Sequence, residues 1–435
     1  ELRNVALPPE APQAGFGQGS AWRVHIGAAA DGQDAKEVGS VGNRAGVFST
    51  ALAKALVAMP HTSFADLAAR VSAEVTAATG GRQTPHAEGA LRASFDGPEV
   101  KLPTFAVVAG SNGLVMDGGQ LLGVTRGSRF ALFATTSDAL QAGRMAMLGT
   151  ARVAAVAPAM AQLALEPGAG AALPPRLVAV EISHDHGGRV IGLAVNDPRA
   201  LAVVQQLGFV AVDRRGPFTL TPEGSGLALR GRGGVLLAQL PPASAPQFPV
   251  RLASALDKVA RVEHWLGGLQ SRPGLALCVQ PRETVTADLY ACPMVPPGGR
   301  QLKLNQPASF TLINQTQENR FLYVFGIGRR YEVTLVMPAF GGRNQAIAGG
   351  QPLRQPAGQE LIPDDTGPLR FVALSTDREM AAQVLEQSAT DMIDEDACRR
   401  PLPGLFCAAG NSSRGGNFAS IGNWSAALVT TQVVP

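Results

Sequence analysis

The arrangement of apolar residues changes near residue 98, and this change most limits what the chain can fold into. Before it, apolar residues recur at helical spacing over residues 47–59 and again from Phe64 onward. Residues 21–27 alternate as a strand does, residues 28–46 are predicted to be a loop, and an extended stretch reaches Phe95. The predicted order is strand, loop, helix, helix, strand, which is half of an α/β domain.

Beyond residue 98 the apolar runs are short and are separated by glycine-rich turns, apart from predicted helices at residues 197–206, 250–269 and 380–388. The predicted fold class is α/β for a first half-domain, followed by β-rich modules, in a multidomain α+β chain. The four predicted parts are a half-domain (1–97), a small β-barrel or sandwich (98–175), a small α+β module (176–272) and a β-rich domain (273–435).

Composition excludes some classes of function. The 435 residues are 46% hydrophobic and 16% charged, which is enough to bury large cores. A net charge of +3 gives no electrostatic case for a nucleic-acid partner. The uncharged run at residues 153–165 is shorter than the about 20 residues of a membrane span. We therefore predict no membrane span. No phosphate-binding loop is present in the sequence, and we predict no cofactor.

The four cysteines form two close pairs, Cys278 with Cys292 and Cys398 with Cys407. No further Cys or His stands near either pair at the spacing of a zinc site, so we predict no metal site. Two local disulfides fit this spacing and predict an oxidising compartment, a bacterial periplasm or the cell exterior. Four reduced thiols in a cytoplasmic protein are the alternative.

A second candidate metal site is the stretch His184-Asp185-His186. No third ligand stands at a useful spacing, and two glycines follow directly. This pattern favours a solvated turn over a metal site.

Four segments within the first hundred residues together resemble part of a known domain. They are the strand at residues 21–27 with residues 28–37 after it, the stretch Gly46-Val47-Phe48-Ser49-Thr50-Ala51-Leu52, the helix from Phe64, and Gln83-Thr84-Pro85. In order and spacing they resemble the C-terminal, small-subunit half of a caspase-like peptidase domain, the type found in bacterial metacaspases and orthocaspases.

A further stretch comprises Phe310, Asn314, Leu322-Tyr323-Val324, Leu335 and Pro338. This stretch resembles a β module of unknown function that often follows bacterial caspase-like domains.

The resemblance implies peptide-bond hydrolysis by a cysteine thiolate assisted by a histidine. Residues 28–37, here called the acidic loop, would line the substrate cleft, with Asp31, Gln33, Asp34 and Glu37 as substrate-binding residues. Their carboxylates would favour Arg or Lys before the cleaved bond through charge-assisted hydrogen bonds. Alternatively, the loop is a solvated acidic segment that pairs with Lys36.

In that family the catalytic His and Cys lie upstream of the matching segment. We therefore predict no catalytic residue on this chain and expect both on a partner, an N-terminal caspase-like fragment. The start at Glu1, without a Met, favours a product of proteolytic maturation. The hypothesis is thus the small-subunit-plus-tail part of a cysteine endopeptidase that acts on peptides or proteins.

Two other hypotheses compete with the endopeptidase. One is a non-catalytic scaffold or binding protein that acts through its C-terminal β modules. The other is a self-inhibited zymogen in which the tail covers the cleft.

Overall fold

The structure is a computed structural model of the whole chain. It describes residues 24–29, 33–40, 43–59, 62–89, 93, 95, 104–110, 113–141, 146–168, 173–269, 272–285, 300–338, 346–355, 360–363, 366–380, 382–387, 389–390 and 424–434. The chain divides into two compact units, Glu1–Glu99 (unit 1) and Val100–Pro435 (unit 2).

The described residues of unit 1 form four short strands and two helices. They are β1 (Val24–Gly27), β2 (Glu37–Ser40), β3 (Asn43–Gly46), α1 (Val47–Ala58), α2 (Phe64–Thr79) and β4 (His86–Gly89). Strand β1 pairs antiparallel with β4, and β2 pairs antiparallel with β3. The β2–β3 hairpin shows that the prediction of an unbroken loop over residues 28–46 is wrong. The two strands are short and polar, so the sequence has no apolar alternation there that would predict them.

Helix α2 has clear sequence signals at both ends. The hydroxyl of Ser63 accepts a hydrogen bond from the Asp66 backbone N–H at 3.2 Å, which caps the first turn. Gly80 ends the helix with φ at 59°, in the left-handed region that favours glycine. Between them, Leu67, Val71 and Val75 pack against the apolar face of α1.

Among the residues described between 104 and 183, unit 2 has six strands and a short helix. They are β5 (Thr104–Gly110), β6 (Gly113–Met116), β7 (Arg129–Phe133), α3 (Thr136–Gln141), β8 (Gly149–Val156), β9 (Ala161–Leu165) and β10 (Arg176–Ser183). The strands close into a barrel in the order β10-β5-β6-β9-β8-β7.

The predicted domain boundary at residue 175 is wrong, because β10 completes this barrel by pairing with both β5 and β7. Alternation along a strand indicates which side is buried but does not indicate which strand will pair with it.

A five-stranded sheet and a long helix follow the barrel. Their elements are β11 (Ile191–Val195), α4 (Pro198–Val204), β12 (Val210–Val212), β13 (Phe218–Glu223), β14 (Gly226–Arg230), β15 (Leu236–Leu240) and α5 (Phe248–Gly268). The strand order is β12-β11-β13-β14-β15, with β11 parallel to both of its neighbours.

The last part of unit 2 is a pair of sheets. Its strands are β16 (Leu275–Pro281), β17 (Arg300–Lys303), β18 (Ala308–Asn314), β19 (Phe321–Ile327), β20 (Val333–Met337), β21 (Pro352–Arg354), β22 (Gly367–Thr376) and β23 (Trp424–Val434). One sheet has the order β16-β18-β21 and the other β17-β23-β22-β19-β20.

Strand β19 is buried on both of its faces. One face joins the core between the two sheets, where Phe310 and Phe371 meet edge-on at 4.9 Å. The other face meets α5, where Phe325 lies edge-on to Trp265 at 5.5 Å. A continuous apolar run is expected for a strand covered on both faces.

The helix predicted over residues 380–388 is a single 3-10 turn, Ala382–Leu385. This segment follows a path fixed by distant groups, since the Met380 backbone N–H donates to the Tyr323 hydroxyl at 2.7 Å. None of the described helices is both long enough and apolar enough to span a bilayer. The described chain is mixed α/β and mostly strand, in several sheets, which confirms the β-rich part of the predicted fold class.

Candidate functional site

The acidic loop of unit 1 is held against the stretch before β4 by the side chain of Gln83. Gln83 is fully buried. Its amide donates to the Ala28 carbonyl at 2.9 Å and accepts from the Lys36 backbone N–H at 2.9 Å. One side chain therefore fixes both ends of the loop and satisfies two backbone groups there.

Two further contacts fasten the acidic loop. The side-chain oxygen of Gln33 accepts from the Thr84 backbone N–H at 2.7 Å. The Nδ1 atom of His86 lies 3.2 Å from the Ala29 carbonyl oxygen. The side-chain oxygen of Gln33 thus helps to hold the loop in place, and substrate binding by Gln33 stays a prediction.

The predicted carboxylates of the acidic loop face solvent where the structure describes them. Asp34 has 89% of its side chain exposed and lies 3.3 Å from the Lys36 ammonium. Glu37 is also exposed, at the first position of β2. Asp31 lies outside the described residues. Pairing of Asp34 with Lys36 is the arrangement expected of a solvated acidic loop, and such an exposed pair holds the loop only weakly.

Of the four cysteines, the structure describes only Cys278. It is buried in β16 and is disulfide-bonded. Cys292, Cys398 and Cys407 lie outside the described residues. The pairing of Cys278 with Cys292 and of Cys398 with Cys407 therefore stays a prediction.

Unit 2 contains a buried polar group that sequence analysis missed. It forms where the end of β10 and the loop after it meet one face of α5. We call it the histidine cluster; its members are Glu181, His184, His186, Asp257, Arg261 and His264.

The carboxylates of the cluster each contact an imidazole and the same guanidinium. Glu181 lies 3.1 Å from His184 Nδ1 and 2.8 Å from Arg261. Asp257 lies 3.0 Å from His186 Nε2 and 2.6 Å from Arg261. Arg261 is buried and bridges the two carboxylates as a fixed fork of donors.

His186 joins the two sides of the cluster. Its Nδ1 lies 3.3 Å from Nδ1 of His264, and its ring stacks on Phe209 at 4.2 Å. The guanidinium of Arg189 donates to the His264 carbonyl at 3.1 Å. Among the described residues, neither His184 Nε2 nor His264 Nε2 has a hydrogen-bond partner, although both atoms are buried.

The surroundings shift the titration of these groups. Burial, and then the charge of Arg261, lower the pKa of His184 to about 3. Burial, and then His186, lower the pKa of His264 to about 4. Burial alone would raise the pKa of Asp257, but Arg261 and His186 outweigh it and lower the pKa to about 2.

The solvated turn predicted for residues 184–186 is therefore wrong. Only 1% of the His184 side chain and 7% of the His186 side chain is exposed. A usable signal lies on α5, where Asp257, Arg261 and His264 share one face at helical spacing. Polar groups on the inner face of a helix need buried partners, and the loop supplies them.

The described residues contain no group of three or more His, Cys, Asp or Glu side chains placed to hold a metal ion. Burial and neighbouring charges lower the pKa values of His184 and His264, so both of these imidazoles are neutral at pH 7.

Comparison with known proteins identifies no family for the chain: no protein-family model matches it, and no curated protein is significantly similar to it.

Proposed function

We propose that unit 1 is the C-terminal half of a caspase-like cysteine endopeptidase and that it supplies one wall of the substrate cleft. The observation that carries the proposal is the acidic loop, which follows β1 and is fastened at both ends by Gln83. A substrate-binding loop needs this kind of fixed backbone, because a loosely held loop must become ordered when substrate binds, and the entropy cost of that ordering lowers the affinity.

The pairing of β1 also supports an incomplete domain. In the described part of the chain, β1 has a partner on one side only, which is β4. A two-stranded sheet is marginal by itself and is stabilised when further strands join it. In this proposal the strands of an N-terminal fragment extend the sheet that β1 and β4 form.

Catalysis needs groups that unit 1 does not carry. Its sequence contains no cysteine, and its histidines are His25, His61 and His86. We infer that the N-terminal fragment carries a cysteine thiolate, which attacks the peptide carbonyl, and a histidine, which moves the proton to the leaving amine.

The preferred substrate follows from the charge of the loop. The Asp34 carboxylate is exposed beside a fixed backbone and holds Lys36 only at the surface. An incoming Arg or Lys side chain would displace Lys36 and gain a charge-assisted hydrogen bond. We therefore propose cleavage after Arg or Lys.

The disulfide of Cys278 supports an exported protein. Disulfides persist in oxidising compartments and are rare in the cytosol. We propose a periplasmic or extracellular location.

The test uses the full-length gene. The purified material is resolved by intact mass and assayed on fluorogenic peptides with Arg, Lys or Asp before the cleaved bond, with and without iodoacetamide. We expect a co-purifying N-terminal fragment and thiol-dependent cleavage after Arg or Lys. Asp34→Asn should lower kcat/KM on the Arg peptide about tenfold or more, the effect of one lost charge-assisted hydrogen bond.

The matched control is Glu74→Gln, because Glu74 lies on α2 and pairs with Lys54 away from the loop. It should leave kcat/KM unchanged. Absence of both the fragment and the cleavage would overturn the peptidase and favour a scaffold or binding role for unit 2. Cleavage that is insensitive to Asp34→Asn would overturn only the role of the loop.

A further inference from the structure

The histidine cluster joins two parts of unit 2 that are distant in sequence. Residues 184–190 connect barrel strand β10 to β11, and α5 begins about sixty residues later along the chain. The contacts of His186 with Asp257 and His264, and of Arg189 with His264, hold this connection on α5. Loss of these contacts frees the connection from α5, while Asp185 stays bound to the barrel, where its carbonyl accepts from the Thr125 hydroxyl and its backbone N–H donates to the Ser128 hydroxyl at 3.0 Å.

The charges of the cluster nearly balance. Two buried carboxylates, Glu181 and Asp257, face one buried guanidinium, Arg261. One proton shared among the three imidazoles therefore brings the buried group to neutrality. A second proton has no carboxylate left to face it, and an uncompensated buried charge is costly.

The charged groups that the structure describes near the cluster, besides its own members, do not relieve a second proton. Arg189 is positive and sits at the His264 carbonyl, so it repels a protonated His264. The Asp185 carboxylate is turned to its own loop, where it accepts from the Gly187 backbone N–H at 2.8 Å. Lys258, on the same helix, donates to the Ala389 carbonyl at 3.0 Å. The ring of Phe209, which covers His186, carries no charge.

We propose that the histidine cluster is a proton-sensitive latch: it holds residues 184–190 on α5 while its three imidazoles share at most one proton, and a second proton releases them. This proposal concerns unit 2 and does not depend on the peptidase proposed for unit 1.

The direction of the effect follows from the histidines that the held state keeps neutral. Burial lowers the pKa of His184 to about 3 and of His264 to about 4, whereas a released histidine titrates near pH 6.5. Below about pH 6.5 the released state therefore binds protons at His184 and His264, and the held state does not. The free-energy preference for the held state is complete above that pH and decreases as the pH falls toward 4.

The experiment is hydrogen exchange on the full chain at pH 7, 6 and 5, expressed as protection factors so that intrinsic exchange rates are already corrected. We expect the protection of residues 184–190 to fall by about tenfold per pH unit for each of the two histidines below pH 6.5. Protection of barrel strand β7 should stay unchanged.

The decisive variant is His184→Asn with His264→Asn. Asparagine places an amide near the position of Nδ1 and does not titrate. The double variant should keep the protection of residues 184–190 at pH 5. The matched control, His25→Asn in unit 1, should behave as the unmodified chain does.

Two results would overturn the latch: protection that does not change with pH in the unmodified chain, or an equal loss in the double variant. If the double variant does not fold, His264→Asn alone decides. It should remove about half of the logarithmic pH dependence, and an unchanged dependence refutes the proposal.

Discussion

At the scale of single residues, Arg261 and Arg129 both contact carboxylates but differ in burial. Arg261 has 2% of its side chain exposed and bridges Glu181 and Asp257. Arg129 has 46% exposed and contacts Glu166 through both its Nε and a terminal nitrogen. Water screens the contact between Arg129 and Glu166. Removal of Arg261 would instead leave the carboxylates of Glu181 and Asp257 buried without a cation.

Arg261→Leu should therefore lower the free energy of unfolding of unit 2 by about 3–5 kcal/mol, because Glu181 and Asp257 would stay buried without their cation. Arg129→Leu should cost at most about 1 kcal/mol. Urea unfolding of the full chain, followed by circular dichroism, measures both. Equal losses for the two variants would show that the Arg261 contacts are not desolvated in solution.

At the scale of elements, the acidic loop shows how one side chain sets a loop conformation. Gln83 precedes β4, yet its amide holds backbone groups at Ala28 and Lys36, which come after β1. Because β1 pairs with β4, the two segments are already adjacent and the amide needs to span only a short gap. The neighbouring Gln33 makes its bond to Thr84 at the surface.

Gln83→Ala should loosen the acidic loop, because the Lys36 N–H and the Ala28 carbonyl lose their buried partner at a cost of about 1–3 kcal/mol. Hydrogen exchange of peptides that cover residues 28–37 should become faster, while α2 keeps its protection. Gln33→Ala removes an exposed hydrogen bond and should have a smaller effect. If Gln83→Ala left the loop exchange unchanged, the loop would be held by other groups.

At the scale of the whole molecule, unit 2 has a core that extends across the barrel, the five-stranded sheet and the β17-β23-β22-β19-β20 sheet, whereas the buried residues of the β16-β18-β21 sheet belong to a second cluster. One continuous cluster of buried side chains includes Phe130 in the barrel, Leu220 in the five-stranded sheet, Trp265 on α5 and Phe325 in the C-terminal sheets. Modules that share a core lose stability together when that core is damaged.

Trp265→Ala should therefore destabilise the barrel as well as the C-terminal sheet that contains β22, by about 3–5 kcal/mol in each, because it opens a cavity in the core that they share. Hydrogen exchange of β7 and β22 should become faster together. Leu428→Ala is the control, since Leu428 is 41% exposed, and it should have little effect. Faster exchange in β22 alone would mean that the barrel is an independent domain.

Local patterns predicted most elements but few of their partners. The bounds of α2 follow from Ser63, its apolar spacing and Gly80, all of which lie within a few residues of the helix. The helix predicted at residues 380–388 and the boundary at residue 175 depended on contacts with distant strands, and both predictions were wrong. The caspase-like origin of unit 1 stays a proposal.

The sequence by itself determined where most helices and strands form, because caps, glycines and apolar periods act within a few residues. It also determined a β-rich chain with little net charge. Only the tertiary structure decided that β10 closes a barrel and that His184 and His186 are buried against α5. The burial of a side chain and the pairing of a strand depend on which distant segment packs against them. A histidine in a polar stretch has the same local sequence pattern whether its imidazole contacts water or a carboxylate.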